Sequence, residues 1–289
     1  MISIIIPAHN EARVIARCLQ ALTCCAEPGE FEIIVVCNGC MDNTASVARR
    51  HQPEVTVLET EMPSKTNALN IGDAAATGWP RFYVDADIVM DTGAVRGVAS
   101  VLRESPGVFA AAPLMCFDFT DRRWTIRAFY EVWSALPYCR VGMIGSGVYA
   151  LSRELRGRFD QFPQITADDA FVRLHCKPEE RFTVASHRFT VFPPRTIGAL
   201  IRISTRAYFG DYELRAKSPE LFLNKQDGHG HALLGLLKNP IWWARIVVYL
   251  YVRVLSRLLA YRRFYFGDHR HWERDETSRQ PLAVNVENI

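Results

Sequence analysis

Short apolar runs alternate with stretches of helical periodicity through the first 115 residues. Ile2-Ser3-Ile4-Ile5-Ile6 reads as a buried strand, as do residues 31–36, 55–58, 81–84 and 108–113. Residues 11–22 carry Ile15, Leu19 and Leu22 on one helical face. Residues 42–50, 65–75 and 93–102 read as further helices. Asp42 or Asn43 is available to cap the first of these, and Ala68, Leu69 and Ile71 face inward on the second. Strand–helix alternation predicts an α/β fold with a mainly parallel sheet flanked by helices. Ligands of such sheets bind beyond the carboxyl ends of the strands. The segments 7–11, 37–42 and 85–87 follow predicted strands, are polar or turn-forming, and are expected to gather on that edge.

Beyond residue 115 the pattern loosens. Residues 124–136 read as an aromatic helix, 142–147 as a glycine-rich turn before Val148, and 202–210 as a basic and aromatic segment. Residues 240–260, PIWWARIVVYLYVRVLSRLLA, have the length of a spanning helix. Arg245, Arg253 and Arg257 argue against a span, because charge at its centre is costly. At helical spacing the three share one sector. One reading is a helix lying in a membrane interface with its arginines toward anionic headgroups. The other is a helix packed on the catalytic domain or on a second copy, as in a homodimer. The polar tail that follows carries a charge-rich stretch at 271–279 to which no chemistry is assigned.

Composition narrows the classes. The 289 residues suit one large domain or a domain with an appendage, and 49% hydrophobic with 22% charged residues is ordinary for a globular chain. A net charge of +3 is too small for the basic face of a nucleic-acid binder, so no nucleic-acid partner is expected. The chain opens directly on a strand-like run and its eight cysteines fall mostly in apolar stretches. This favours free thiols in a reducing cytosol. Cys37 and Cys40 form a CxxC, but no second pair stands at zinc-site spacing. Neither GxGxxG nor a P-loop is present, which disfavours a dinucleotide-dependent dehydrogenase or a P-loop NTPase.

Asp85 and Asp87 end the apolar run Arg81–Val84. In extended chain, residues at i and i+2 point the same way, so both carboxylates can face one ion. Oxygen ligands suit Mg²⁺ or Mn²⁺. A solvated turn explains two aspartates after a strand equally well.

The surrounding motifs decide between the two. "SIIIPAHNEARVIARCL" (3–19), "EIIVVCNGCMDNTASVA" (32–48), "SKTNALNIG" (64–72), "YVDADIV" (83–89), "GSGVYALSRE" (145–154) and "ADDAFVR" (167–173) resemble, in order and spacing, the inverting GT-A glycosyltransferases of family 2. The resemblance covers roughly residues 1–210. It implies a GT-A catalytic domain there, with a nucleotide-sugar half to about 115 and an acceptor half to 210, followed by a helical extension over 211–289.

It also implies roles. Pro7, Ala8, Asn10 and Glu11 wrap the nucleotide base and ribose. Asn38 stands where the family usually places a base-binding aspartate, within Cys37-Asn38-Gly39-Cys40 in place of Asp-Asp-Gly-Ser. Lys65 lies near the base and diphosphate. Asp85 holds the donor ribose and metal-bound water, and Asp87 the metal, with His187 as a further metal ligand. Asp169 is the general base, with Asp168 as the alternative. Gly145, Ser146 and Gly147 line the acceptor side, and Arg202 and Arg206 lie over the diphosphate. The expected function is metal-dependent transfer, with Mn²⁺ or Mg²⁺, from a nucleotide-sugar (a UDP-sugar first) to a saccharide or lipid-linked acceptor. The expected location is the cytoplasm, peripheral at the inner face of a membrane. A non-catalytic GT-A-shaped binder is the alternative. A sugar-nucleotide pyrophosphorylase is disfavoured, because Pro7–Glu11 replaces the glycine-rich opening loop of that class.

Overall fold

A computed structural model describes residues 1–142, 145–224 and 230–267. The elements run β1 (Ile2–Ala8), α1 (Ile15–Thr23), β2 (Phe31–Asn38), α2 (Thr44–Arg49), β3 (Thr56–Thr60), α3 (Lys65–Ala75), β4 (Arg81–Val84), β5 (Val89–Met90) and α4 (Thr92–Glu104). They continue with β6 (Ala110–Phe117), α5 (Trp124–Ala135), β7 (Val148–Leu151), α6 (Arg153–Arg156), α7 (Asp168–Leu174), β8 (Arg181–Val191), α8 (Ile197–Lys217), α9 (Gly230–Leu237) and α10 (Trp243–Phe266). The stretch 271–279 lies outside the described residues.

One eight-stranded sheet runs in the order β3-β2-β1-β4-β7-β6-β8-β5. β1 pairs parallel with β2 and β4, and β2 with β3. β7 enters antiparallel between β4 and β6, and β5 pairs antiparallel with β8. The sheet is therefore mixed, and its parallel half is the stretch whose strand–helix alternation the sequence announces. The expected boundaries at 115 and 210 fall inside β6 and α8.

Period-two alternation along β1 sends Ile4 and Ile6 to one face with Leu19 of α1 and Val95 of α4. Ile5 goes to the other face with Leu69 of α3 and Phe171 of α7. α3 approaches β1 so closely that a Cβ on Gly72 would lie 2.5 Å from Ile5 Cγ2. A third apolar cluster joins α5, α8 and α10 through Phe129, Leu200, Ile246 and Tyr249.

Charge pins α3 at its far end. Asp73 is buried, and its two oxygens take Arg81 Nη1 at 2.7 Å and Arg156 Nη2 at 2.7 Å. The Tyr83 hydroxyl donates to it at 2.5 Å. The near end starts where the Ser64 side chain accepts the Asn67 N–H, which sets Lys65 as the first helical residue. Asp73→Ala leaves two largely enclosed guanidinium groups without their carboxylate. It is expected to lower stability by about 3–5 kcal/mol, read as a fall in the urea midpoint. A change under ~1 kcal/mol would show that the arginines find equivalent partners.

Candidate active site

The expected edge is where the chemistry collects. β4 ends at Val84, and the Asp85 N–H donates to the Gly147 carbonyl at 2.8 Å, carrying the β4–β7 pairing one residue further. Asp85 to Ile88 is a turn, with Ile88 N–H directed at the Asp85 carbonyl at 3.4 Å. The two aspartates thus sit on a turn and not on the extended chain expected from their spacing. Arg17 of α1 buttresses that turn: Nη2 donates to the Asp87 carbonyl at 3.1 Å, and its guanidinium lies 3.7 Å from the Phe192 ring centroid.

Gly145, Ser146 and Gly147 bridge the two halves of the site. All three have positive φ (+108°, +55° and +109°). A Cβ on Gly145 would stand 2.7 Å from Asp169 Oδ2, and one on Gly147 would stand 2.9 Å from Ile88 Cγ2 and 3.7 Å from Asp85 Oδ2. Glycine is needed at both places for conformation and for space. The Ser146 N–H donates to Asp169 Oδ2 at 3.2 Å, and the Ala170 N–H to Asp169 Oδ1 at 2.8 Å. Asp169 is half-buried at the start of α7 and faces this turn.

Its neighbour faces the other way. Asp168 is 3% exposed, with Lys65 Nζ 3.1 Å from Oδ1 and the Tyr149 hydroxyl donating to Oδ2 at 3.2 Å. Lys65 Nζ also lies 2.8 Å from Asp85 Oδ1. Burial works against the Lys65 charge, but Asp168 and Asp85 outweigh it and hold the ammonium above its ordinary range. Burial pushes the Asp168 carboxyl up to about 6; Lys65 opposes this, while Asp169 and Asp85 add to it. Tyr149 was not singled out from the sequence. Its place in β7, two residues past Gly147, was the available signal.

On the parallel side, Pro7 and Ala8 are buried inside β1, not in a loop around a ligand. Pro7 is tolerated there because β1–β4 pairing stops at Ile5. What Ala8 presents is its carbonyl, which accepts Asn38 Nδ2 at 2.9 Å. Asn38 is 2% exposed, and its Oδ1 has no hydrogen-bond donor among the described residues. Asn10, at φ +52°, accepts the Met41 N–H at 2.7 Å and the Asp42 N–H at 3.2 Å, tying the β1 loop to the β2 loop. Glu11 is buried and its N–H donates to Thr44 Oγ1 at 2.7 Å.

His187 is not brought to this edge. Residues 185–187 form a bulge in β8, since Pro113 pairs with Val184 and Leu114 with Arg188. The imidazole lies over Gly97 of α4, where any Cβ would meet it at 2.4 Å, and Nδ1 is 3.0 Å from Ser186 Oγ. The expectation that it ligates a metal beside Asp87 is corrected by that packing. Arg202 is exposed and Arg206 half-buried on α8, four residues apart. The next turns of the same face meet the loop before α7, where Gly210 packs on Ala167 and the Glu213 carboxylate accepts the Thr166 N–H at 2.8 Å.

A sequence profile described as glycosyl transferase family 2 matches residues 3–159, more than half of the chain. The chain belongs to glycosyl transferase family 2. Among curated relatives, glycosyltransferase AglE of Haloferax volcanii is 33% identical over 91 residues, 30% of this chain and 30% of that protein. The match therefore spans less than a third of that relative's length. The mannosyltransferase PcManGT from Pyrobaculum calidifontis, solved with GDP-Man and Mn²⁺, superposes with a TM-score of 0.59 at 20% identity, covering 92% of this chain and 76% of that one. Glucosyl-3-phosphoglycerate synthase from Mycobacterium tuberculosis, solved with phosphoglyceric acid, gives 0.53 at 20% identity over 75% of this chain and 79% of that one. At these identities the two structures show a shared GT-A-like fold.

The donor set of this family-2 site suits a hard cation. No group of three His, Cys, Asp or Glu side chains is arranged to hold a metal among the described residues. What the Asp85–Asp87 turn offers is two half-buried carboxylates at the open edge. Mg²⁺ and Mn²⁺ sites that complete their shell with water and substrate phosphates use such a set, in place of an all-protein cage.

Asp168 makes stability depend on pH. Its folded-state value of about 6 lies above the ordinary 3.8. Between about pH 4 and 6 the folded chain holds a proton that the unfolded chain has released, so stability falls as pH rises through that window. The displacement corresponds to ~3 kcal/mol. The stability of the native protein relative to Asp168→Asn should therefore decline by up to ~3 kcal/mol between pH 4 and 6.5 in urea titrations. A difference that stays flat would show that Asp168 ionises as it does in the unfolded chain.

Proposed function

We propose that this enzyme transfers a sugar from a nucleotide-sugar to an acceptor hydroxyl with inversion at the anomeric carbon. The observation that carries the reading is that Asp85 and Asp169 lie against one turn, Gly145–Gly147. One carboxylate on the donor side and one facing the acceptor side is what a single displacement requires. Asp169 accepts the proton of the attacking hydroxyl, held in place by two backbone N–H groups. Asp168, engaged by Lys65 and Tyr149, positions α7 and does not touch the acceptor. Asp85 and Asp87 hold Mn²⁺ or Mg²⁺, whose chemistry is to neutralise the leaving diphosphate. That choice is supported by Mn²⁺ in the PcManGT complex and by Mn²⁺ with UDP in a complex of the mycobacterial synthase. Asn38 Oδ1 is enclosed and has no donor among the described residues; it would accept from the N–H edge of a base that displaces its cover, and a UDP-sugar is our first reading of the donor. Lys65, Arg202 and Arg206 supply positive charge for the diphosphate.

Asp169→Asn is expected to lower kcat by about 10²–10⁴-fold in a transfer assay with Mn²⁺. Its thermal shift with UDP and Mn²⁺ should match that of the native chain. Undiminished transfer would overturn Asp169 as the base. A native chain that binds nucleotide but neither transfers nor hydrolyses the sugar would favour the non-catalytic alternative.

For the acceptor we propose a lipid-linked saccharide, reached from the cytoplasmic face of a membrane. The support is α10. Trp243, Val247, Leu250, Tyr251, Val254, Leu258, Tyr261 and Tyr265 recur mostly at three- and four-residue spacing and are each at least 43% exposed. The arginine sector turns mostly inward, against the interfacial reading: Arg245 and Arg253 are half-buried, and Arg257 is exposed. Arg245 pairs with Glu131 of α5 at 2.6 Å, and Arg253 and Arg257 lie over the Tyr208 ring of α8. α10 itself carries no Asp or Glu, and its exposed Arg257 and Arg262 give the stripe a positive rim. That rim suits an anionic lipid surface and disfavours a self-pairing of identical faces. No helix among the described residues is long and apolar enough to cross a membrane. The protein should co-sediment with phosphatidylserine-containing vesicles, and Val247→Glu with Val254→Glu should reduce the bound fraction about tenfold. A native chain that stays in the supernatant, or that instead dimerises through this face, would overturn the membrane reading.

A further inference from the structure

Cys37 precedes Asn38 in β2, and Cys40 lies in the loop that follows, against the loop that carries Asn10. Cys37 is 1% exposed at the end of β2, paired in register with Ala8 of β1. Gly39, at φ +57°, turns the chain so that Cys40 returns to the same place. Cys37 belongs to the apolar cluster between β1 and α1, and the Cys40 side chain packs against that same cluster. Cys40 Sγ also donates to the Ala8 carbonyl at 3.4 Å and accepts the Asn10 N–H at 3.3 Å. Cys40 therefore ties the β2 loop to the β1 loop directly beside Asn38, whose Nδ2 bonds the same Ala8 carbonyl.

We propose that Cys37 and Cys40 are a redox modification site, closing to a reversible disulfide that weakens nucleotide binding at the adjacent Asn38. The oxidant is a small-molecule disulfide such as glutathione disulfide. The Cys40 thiolate attacks one of its sulfurs, breaks that S–S bond and releases one glutathione thiolate. Cys37 then gives up its proton and its sulfur attacks Cys40 Sγ, releasing the second. Two protein thiols are oxidised, one glutathione disulfide is reduced to two thiols, and the two cysteine protons pass to them.

Cys40 is the attacking group on geometry, because it is half-buried while Cys37 is enclosed. Its chemistry agrees. The neighbouring Cys37 thiol brings the Cys40 thiol down to about 6, with the Asn10 N–H adding to it. The same contact and burial push Cys37 up. Elsewhere, burial and then the nearby Glu180 push the Cys176 thiol up to about 12.

Closure draws the sulfurs to about 2.0 Å. Cys40 then has no S–H for the Ala8 carbonyl, and its sulfur moves away from the Asn10 N–H. Asn10, which also receives the Met41 and Asp42 N–H groups, shifts with it.

The binding half of this proposal rests on the nucleotide-sugar reading above, so the test separates the two. The full chain is equilibrated in glutathione buffers of increasing oxidised fraction, quenched with an alkylating agent and digested. Binding of UDP and of GDP with Mn²⁺ is measured on the same samples. The peptide holding Cys37 and Cys40 should appear unalkylated and two hydrogens lighter. Nucleotide binding should weaken about tenfold, as for loss of one or two hydrogen bonds, and recover with dithiothreitol. In Cys40→Ser, and separately in Cys37→Ala, the oxidised and reduced samples should bind equally, whatever their common affinity. Free thiols at every glutathione ratio would overturn the modification site. A disulfide that forms without changing binding would overturn its effect on the donor loop. A reduced native chain that binds neither nucleotide would overturn the donor reading and that effect with it, while the disulfide would still be decided by mass.

Discussion

One ammonium group holds the site together. Lys65 Nζ stands 2.8 Å from Asp85 at the end of β4 and 3.1 Å from Asp168 at the start of α7. Three elements distant in the chain thus meet at a single charge. A buried carboxylate is expensive alone and tolerable when paired and hydrogen-bonded. Asp168 has both kinds of partner, Lys65 on one oxygen and Tyr149 on the other. Its cost is what makes α7 sit in one place, because displacing the helix would strand the charge.

Everything that positions Lys65 therefore positions the site. Its helix is capped by Ser64, pressed onto β1 at Gly72 and clamped at Asp73 between two arginines. Midway along, Asn70 bonds both backbone groups of Phe162, donating to its carbonyl at 3.0 Å and accepting its N–H at 2.8 Å. The loop that leads to α7 is thereby fastened to the same helix. α3 is a strut between the parallel half of the sheet and the carboxylates of the other half. The turn at 145–147 closes the ring from the opposite side, where a Cβ would press Gly145 into Asp169 and Gly147 into Ile88 of the Asp85 turn.

The parallel half was legible in the sequence because its code is local. Lys65–Ala75 and Arg81–Val84 begin and end where periodicity places them. α1 starts four residues later than its apolar pattern suggests, because Asn10 is left-handed and Glu11 is tied to Thr44 of α2. β8 escaped notice because the bulge at 185–187 breaks its period of two. The same bulge took His187 away from the carboxylates. Of the site itself, residue types and order could be read from the chain, including both aspartates of the 168–169 pair. Which of that pair faces outward depended on Tyr149 and Lys65, contacts made across 19 and 103 positions of sequence that no local pattern encodes.

The C-terminal helix shows the same limit from another side. Sequence periodicity sorted α10 into an arginine sector and an apolar remainder, and two explanations competed for the whole helix. Its partners divide it. Ile246, Tyr249, Val252, Ser256 and Ala260 are buried against α5 and α8. The arginines flank that contact, spending their charge on Glu131 and on tyrosine faces. Arginine stacked on an aromatic ring keeps its charge while covering apolar surface, so it can edge a packed interface without breaking it. Most of the sector that looked suited to headgroups is the seam with α5 and α8, and much of the apolar remainder is turned outward. Such an inversion is physically economical only if something other than water meets Val247, Val254 and Leu258, each more than half exposed.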